Sequence, residues 1–418
     1  MLAEHLGLPK IGAARPFVVA MLVDALGSGL FLPFSILYFH RAGSLSLADA
    51  GLGLSIAMLA ALPAPLAAGS LVDRAGPRRI VVMTNAARAV GFLSYLAVHS
   101  LPALIVAGFL VALSDRLFWA AQPVLVAEIA GPGRRDRWFG LITAVRCTGL
   151  GLGGLLAGAT VSQVGVTGYH LLAVANALSF ASCAVLLARL RIPTRPPATP
   201  AGTPTARRGG VLAAVADRPF CGVVLGNLAF GIARTAILVG LPVYAVQVLG
   251  MPAWLAGVLY AEYTTLIAIG QTTMVRRLER YRRTRALMLA AWLWAAAFLL
   301  FAAAPLLPHP AVGPFVVVVT GVYTVAVMLH LGVIDALVVE AAPDQSRGRY
   351  VAVYQLSWAV ANAIAPGLFT VLLAWRSFGP WLALTVLALL AFGAILVVEP
   401  HLPPQAVRRG QLDPGIAP

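Results

Sequence analysis

Twelve apolar runs, each about as long as a bilayer is thick, leave this chain almost no choice of fold. They lie at 17–39, 49–72, 80–99, 102–130, 138–164, 169–189, 219–248, 252–275, 286–307, 312–341, 350–375 and 380–399. A helix rises about 1.5 Å per residue, so roughly 20 apolar residues cross the hydrocarbon core. In lipid every backbone amide must find its partner within the protein, and runs of this length do so as helices. The sequence therefore predicts an all-α integral membrane protein of twelve transmembrane helices. Composition agrees: the chain is 60% hydrophobic and 11% charged, against about 25% charged in an ordinary soluble domain. Its mean hydropathy is +0.89.

The runs fall into two groups of six, a six-helix bundle over 1–189 and another over 219–399, with a tail at 400–418. The connecting stretch 190–218 carries Pro193, Pro196, Pro197, Pro200 and Pro204 among arginines, a composition that stays extended and solvated. A net charge of +15 would suit a nucleic-acid binder, but its distribution excludes that class. The basic residues sit in short clusters between apolar runs. Lys10, Arg15, Arg74, Arg78, Arg79, Arg134, Arg135, Arg137, the linker arginines, Arg276–Arg285, Arg347, Arg349, Arg408 and Arg409 all fall on one side, and Arg41 and Arg376 on the other. By the positive-inside rule both termini are expected in the cytoplasm and the chain in the cytoplasmic (inner) membrane. Residues 1–16 are short and polar, so no cleavable leader is expected. Cys147, Cys183 and Cys221 lack metal-ligand spacing and read as small core residues. No triad, metal cluster, nucleotide-binding loop or ATP-binding segment is visible, so neither an enzyme nor a cofactor is expected, and energy for any uphill work must come from an ion gradient.

Between the second and third runs stands Gly69-Ser-Leu-Val-Asp73-Arg74-Ala-Gly76-Pro77-Arg78-Arg79. An acid among three arginines cannot sit in hydrocarbon, so this is a tight basic turn. It resembles, nearly position for position, the Gly-x-Leu-x-Asp-Arg-x-Gly-x-Arg-Arg signature of the major facilitator superfamily. That resemblance implies two pseudo-symmetric six-helix bundles that carry a small molecule by alternating access, with this motif as a conformational gate. A weak internal repeat agrees. Ala127-Glu128 through Arg135-Asp-Arg137-Trp138 aligns with Val339-Glu340 through Arg347-Gly-Arg349-Tyr350, and Pro33 matches Pro242. Glu128 and Glu340 thus end equivalent helices and are expected to pair with the basic groups across their loops. Around Arg277–Arg283 the second-half motif keeps its arginines but lacks counterparts of Asp73 and Gly76.

Charges inside hydrocarbon are costly, which makes each a functional candidate. They are Asp24, Arg88, Asp115, Arg116, Arg146, Arg234, Glu262 and Asp335. The proton-coupling candidates are Asp24, Arg116, Arg146, Glu262 and Asp335, with Asp24 leading and a permanent structural Asp24–Arg146 salt bridge as the alternative. Asp24 and Arg146 lie at similar depths, about 10 Å from the basic side, and suit an ion pair. Desolvation favours a protonated acid and an adjacent arginine favours the carboxylate, which is the competition a proton-coupled carrier needs. Asp24, Ser28, Phe31, Ser35 and Tyr38 recur at helical steps and form a stripe read as cavity-lining. Its alternative is a packing face with serines bonded to their own helix. Asp115, Trp119 and Gln122 share a face of the fourth run, with Arg116 turned about 100° away; the resemblance likens Arg116 to the buried fourth-helix arginine of proton-coupled facilitators. Asn227, Arg234, His330 and Asn362 complete the substrate-cavity candidates. Gly149, Gly151, Gly153, Gly154 and Gly158 on the fifth run permit close helix packing, with Gly154 where related antiporters carry proline.

The reading is a monomeric, proton-coupled multidrug or metabolite efflux carrier, an antiporter of small amphiphilic compounds working with protons within the lipid bilayer. A proton symporter or uniporter importing a nutrient such as a sugar is the alternative, and a non-transporting membrane sensor is another.

Overall fold

Pro63 breaks the second span. Helices Leu47–Ala60 and Ala64–Ala75 are separated by a turn over 61–63, where a ring nitrogen without hydrogen cannot continue the ladder. The run over 49–72 is therefore two short helices end to end, the upper one capped by Ser46, whose hydroxyl accepts from the Asp49 amide at 3.0 Å. The computed structural model describes residues 12–130, 135–190, 216–278, 280–343 and 347–407. Among these, 11 further helical segments are long and apolar enough to cross a membrane. With the broken second span they make the twelve expected, and no strand occurs among the described residues.

The first span runs as Arg15–Phe31, a 3-10 turn at Leu32–Phe34 set by Pro33, and Ser35–Arg41. The third to sixth are Pro77–Ser94, Leu101–Ala130, Arg135–Val164 and Val166–Ala188. Arg218–Gln247, Ala253–Leu278 and Arg283–Ala303 are the seventh to ninth. The tenth is divided at Gly332 and Val333 into His309–Leu331 and Ile334–Ala341, and Arg347–Trp375 and Gly379–Val398 complete the set. Most of the 190–218 linker and the end of the tail lie outside the described residues, as does the loop at 131–134.

The chain forms two compact units whose division differs from the six-plus-six order. The first contains the described residues of 1–194 with 238–268 and 366–374; the second contains those of 195–237, 269–365 and 375–418. In the first unit the opening span packs on the fifth and sixth, and the third on the fourth and sixth. A Cβ at Gly149 would lie 2.7 Å from the Ala25 Cβ, and one at Gly153 would lie 2.8 Å from the Leu30 nitrogen. The first and fifth helices meet backbone to backbone because those side chains are missing, which maximises dispersion contact where lipid supplies no hydrophobic drive. Phe17, Met21, Val81, Phe118, Leu125, Trp138 and Leu187 fill the core near the basic end. Phe220, Ile334, Leu337, Tyr350, Tyr354 and Val398 do the same in the second unit.

Candidate functional site

Four side chains in the first unit form an alternating row of charge. Asp24, 1% exposed, accepts from Arg88 Nη1 at 3.2 Å and from Arg146 Nη1 at 2.5 Å. Arg88 turns its other nitrogen to Asp115 Oδ1 at 2.5 Å. The first, third, fourth and fifth spans each contribute one residue, and the two acids balance the two arginines. Burying four ions costs several kcal/mol apiece unless each is paired, and here each is. Aromatic faces complete the enclosure: the Arg88 guanidinium lies 4.1 Å from the Phe118 ring centre and 5.1 Å from that of Phe180, and Arg146 lies 4.6 Å from Trp119.

The row has a dry end and an accessible end. Asp24 and Arg88 are shut in, whereas the Asp115 side chain is 50% exposed and Trp119 is exposed beside it. An open carboxylate next to an open indole suits a compound with a cationic group and an apolar body. Anything bound to Asp115 competes with Arg88, and through Arg88 reaches Asp24.

The expected Asp24–Arg146 proximity is thus realised as an ion pair. Arg88, noted in the sequence as an intramembrane charge but given no role, proves to be the hub. Gln122 lies buried beneath the site, its amide 4.0 Å from Met21 Sδ, and Arg116 and Ser28 are half-buried. Phe31, Ser35 and Tyr38 of the first-span stripe are buried in this structure. Phe31 and Tyr38 are buried in an aromatic cluster with Phe92 and Tyr95, with ring centres 5.3 Å apart for Phe31–Tyr38 and 4.8 Å for Phe31–Phe92. Ser35 donates to its own helix at Leu32 O, 2.9 Å away.

In the second unit the candidates tie the seventh span to the eleventh. Asn227 donates to Ser357 Oγ at 2.8 Å, and Thr235 donates to Asn362 Oδ1 at 2.5 Å. Arg234 lies over Trp358. His330 is fully enclosed by Phe230, Trp294 and Trp358, with ring centres at 4.4, 5.8 and 5.9 Å. Neither of its ring nitrogens has a hydrogen-bond partner among the described residues. Asp335 is exposed and accepts from the Tyr354 hydroxyl at 2.5 Å.

At the gate motif, Ala64–Ala75 ends on Gly76 at φ +80°, a left-handed turn open to glycine. Asp73, Arg74 and Arg79 are exposed. Arg78 folds back onto the carbonyls of Leu187 and Ala188 at the end of the sixth span. Glu128 is exposed. Glu340 pairs with Arg283 at 2.8 and 3.0 Å, a basic group across the loops, because the start of the ninth helix presents a guanidinium fork to the end of the tenth.

At the opposite, arginine-poor end the first unit is closed by a seam. Ser55 Oγ accepts from the Gly367 amide and Ser162 Oγ from the Trp254 amide, each at 2.8 Å, and Arg41 reaches Gln247 Oε1 at 3.2 Å. Gly158 lies against the backbone of Ala253, Trp254 and Gly257; a Cβ there would sit 3.0 Å from the Ala253 carbonyl.

Comparison with known proteins places this arrangement. The Major Facilitator Superfamily profile matches residues 17–366 and 256–415. YhjO of Bacillus subtilis (strain 168), an uncharacterized MFS-type transporter, is 23% identical over 345 residues, 82% of each chain. The multidrug resistance protein MdtH of Aeromonas salmonicida (strain A449) is 24% identical over 341 residues, again 82% of each. The crystal structure of the nucleoside transporter NupG superposes with a TM-score of 0.74 at 12% identity, covering 93% of this chain and 98% of that one, a likeness of fold. Profile, relatives and fold agree: the chain belongs to the Major Facilitator Superfamily and is a multi-pass membrane transporter, not an enzyme.

Proposed function

We propose that this transporter expels small amphiphilic compounds from the cytoplasm in exchange for protons. The observation that carries the reading is the accessible Asp115–Trp119 pair, joined through Arg88 to the enclosed Asp24. A carboxylate and an indole side by side select charge and apolar area together and impose little shape, which fits a carrier of varied amphiphiles. The likeness to MdtH supports efflux. Arginine asymmetry supports a cytoplasmic basic end, with both termini on the cytoplasmic side of the inner membrane, and we take the carrier to act as a monomer. On that orientation the seam from Ser55 to Gly367 is the outer gate. Asp73 with Arg74, Gly76, Arg78 and Arg79, and Glu128 and Glu340, belong to the inner gate.

The test is purified protein in proteoliposomes with an imposed pH gradient and a fluorescent lipophilic cation. Gradient-driven accumulation is expected, with Trp119→Ala raising KM. Transport of a sugar or nucleoside with no movement of the dye would replace efflux by nutrient uptake.

A further inference from the structure

Three intramembrane acids have partners. Asp24 has two arginines, Asp115 has one, and Asp335 has the Tyr354 hydroxyl. Glu262, on the eighth span, is different. Its Oε2 is closed off from solvent and accepts no hydrogen bond, and the residue forms no ion pair among the described residues. An unpaired, half-buried carboxylate in a membrane span is costlier than the neutral acid, which carries its own proton. We infer that Glu262, and not Asp24, is where the carrier binds its proton, an assignment that rests on the proton-exchange reading above.

The surroundings favour this choice. Tyr260 and Thr264, flanking Glu262, face the fifth span: a Cβ at Gly154 would lie 2.7 Å from Tyr260 Cδ1, and one at Gly151 2.8 Å from Thr264 Oγ1. The Thr264 hydroxyl is already given to the carbonyls of Tyr260 and Ala261, at 3.1 and 3.0 Å. The charged and titratable groups of the packed elements are engaged elsewhere. On the fifth span Arg146 is held by Asp24, and Cys147 stands next to it. On the tenth, which packs on the eighth from Gly270 and Gln271, His330 is enclosed by aromatic rings and Asp335 is held by Tyr354. On the eighth itself Arg276 and Arg277 lie some 14 or more residues along, roughly 20 Å away.

Glu262 stands two residues from both Tyr260 and Thr264, about 200° of helix, so its carboxylate turns away from the fifth-span contact. Hydration of that face favours the carboxylate and releases the proton, and dehydration favours reprotonation. From Glu262 the exposed Thr265 and Thr272 continue the same helical face toward the basic end, a polar path by which a proton enters or leaves.

Dicyclohexylcarbodiimide modifies carboxylic acids that are protonated in apolar surroundings, so it reports the proton without any transport assay. Peptide mass spectrometry of the reconstituted full chain is expected to find the adduct on Glu262, with labelling lost as pH rises, and Asp24 unmodified. An adduct on Asp24 or Asp115 with none on Glu262 would overturn the assignment. In the same vesicles, Glu262→Gln is expected to lose accumulation driven by the pH gradient and to keep counterflow exchange of dye, which also shows that it folds. Glu262→Asp should recover part of the loss. Full gradient response in Glu262→Gln would sink the proposal. A wild-type protein that labels at Glu262 and yet ignores the gradient would instead refute proton exchange, and leave the proton site standing.

Discussion

Arg78 and Arg283 occupy the same place in the two halves of the chain and make the same bonds. Each opens the third span of its half. Arg78 donates to the carbonyls of Leu187 and Ala188 at the end of the sixth span. Arg283 donates to those of Gln405 and Ala406, just past the twelfth, at 2.9 and 3.1 Å. The last carbonyls of a helix lack intrahelical partners, and a guanidinium there satisfies two of them and complements the helix dipole. The repeat that looks degraded around Arg277–Arg283 thus persists as backbone capping. Arg283 adds Glu340 to its set, and is itself 5% exposed.

Removing that fork should therefore cost more in the second half than in the first. Arg283→Gln leaves Glu340 and two carbonyls short of a charged donor, and is expected to destabilise by about 2–4 kcal/mol. Arg78→Gln, at a less buried position, is expected to cost about 1–2 kcal/mol. Thermal unfolding in detergent measures both, and equal melting points for the two variants would contradict the argument.

Asp24 is the keystone of its charge row. Asp24→Asn leaves Arg146 without its acid, and Arg88, 3% exposed, with Asp115 alone. Uncompensated buried charge of this kind costs about 3–5 kcal/mol. A clear drop in melting temperature is expected, and the double variant Asp24→Asn, Arg146→Gln should regain part of it. A single variant that melts like the wild type would show that the row is not bound as described.

The fold was legible because lipid dictates it: a segment that must satisfy its own backbone is a helix about 20 residues long. Pro63 was visible but sits within apolar residues, so its break merged into one run. The pairing of Asp24 with Arg146 followed from equal depth. The role of Arg88 did not, because its acids lie 64 and 27 residues away on other helices, and depth alone cannot choose among several cations. The capping by Arg283 leaves no trace in sequence, since its acceptors are backbone carbonyls that every residue carries.

The glycines of the fifth span divide into two faces with different work. Gly149 and Gly153 meet the first span, so side chains there are expected to impair folding. Gly158 meets the backbone of the eighth at the closed seam. Gly158→Val should fold and hold that seam apart. Labelling of a cysteine placed at Ser55 by a membrane-impermeant maleimide should then rise in intact cells. Unchanged labelling would mean that the seam closes without this contact.

His330 separates stability from use. Two ring nitrogens sit without partners at a fully enclosed position, and each unsatisfied buried polar group costs about 1–3 kcal/mol. Leucine has nearly the same volume and no polar atom. Even after the lost ring contacts with Phe230, Trp294 and Trp358, His330→Leu is expected to gain about 1 kcal/mol, seen as a higher melting temperature. If the variant gains stability and still transports at the wild-type rate, the histidine is only a tolerated core residue. A more stable protein that no longer transports would mean that the imidazole finds its partners in another state of the cycle, and that its cost here is the strain of a working part. A lower melting temperature would show that the ring stacking outweighs the unpaired nitrogens.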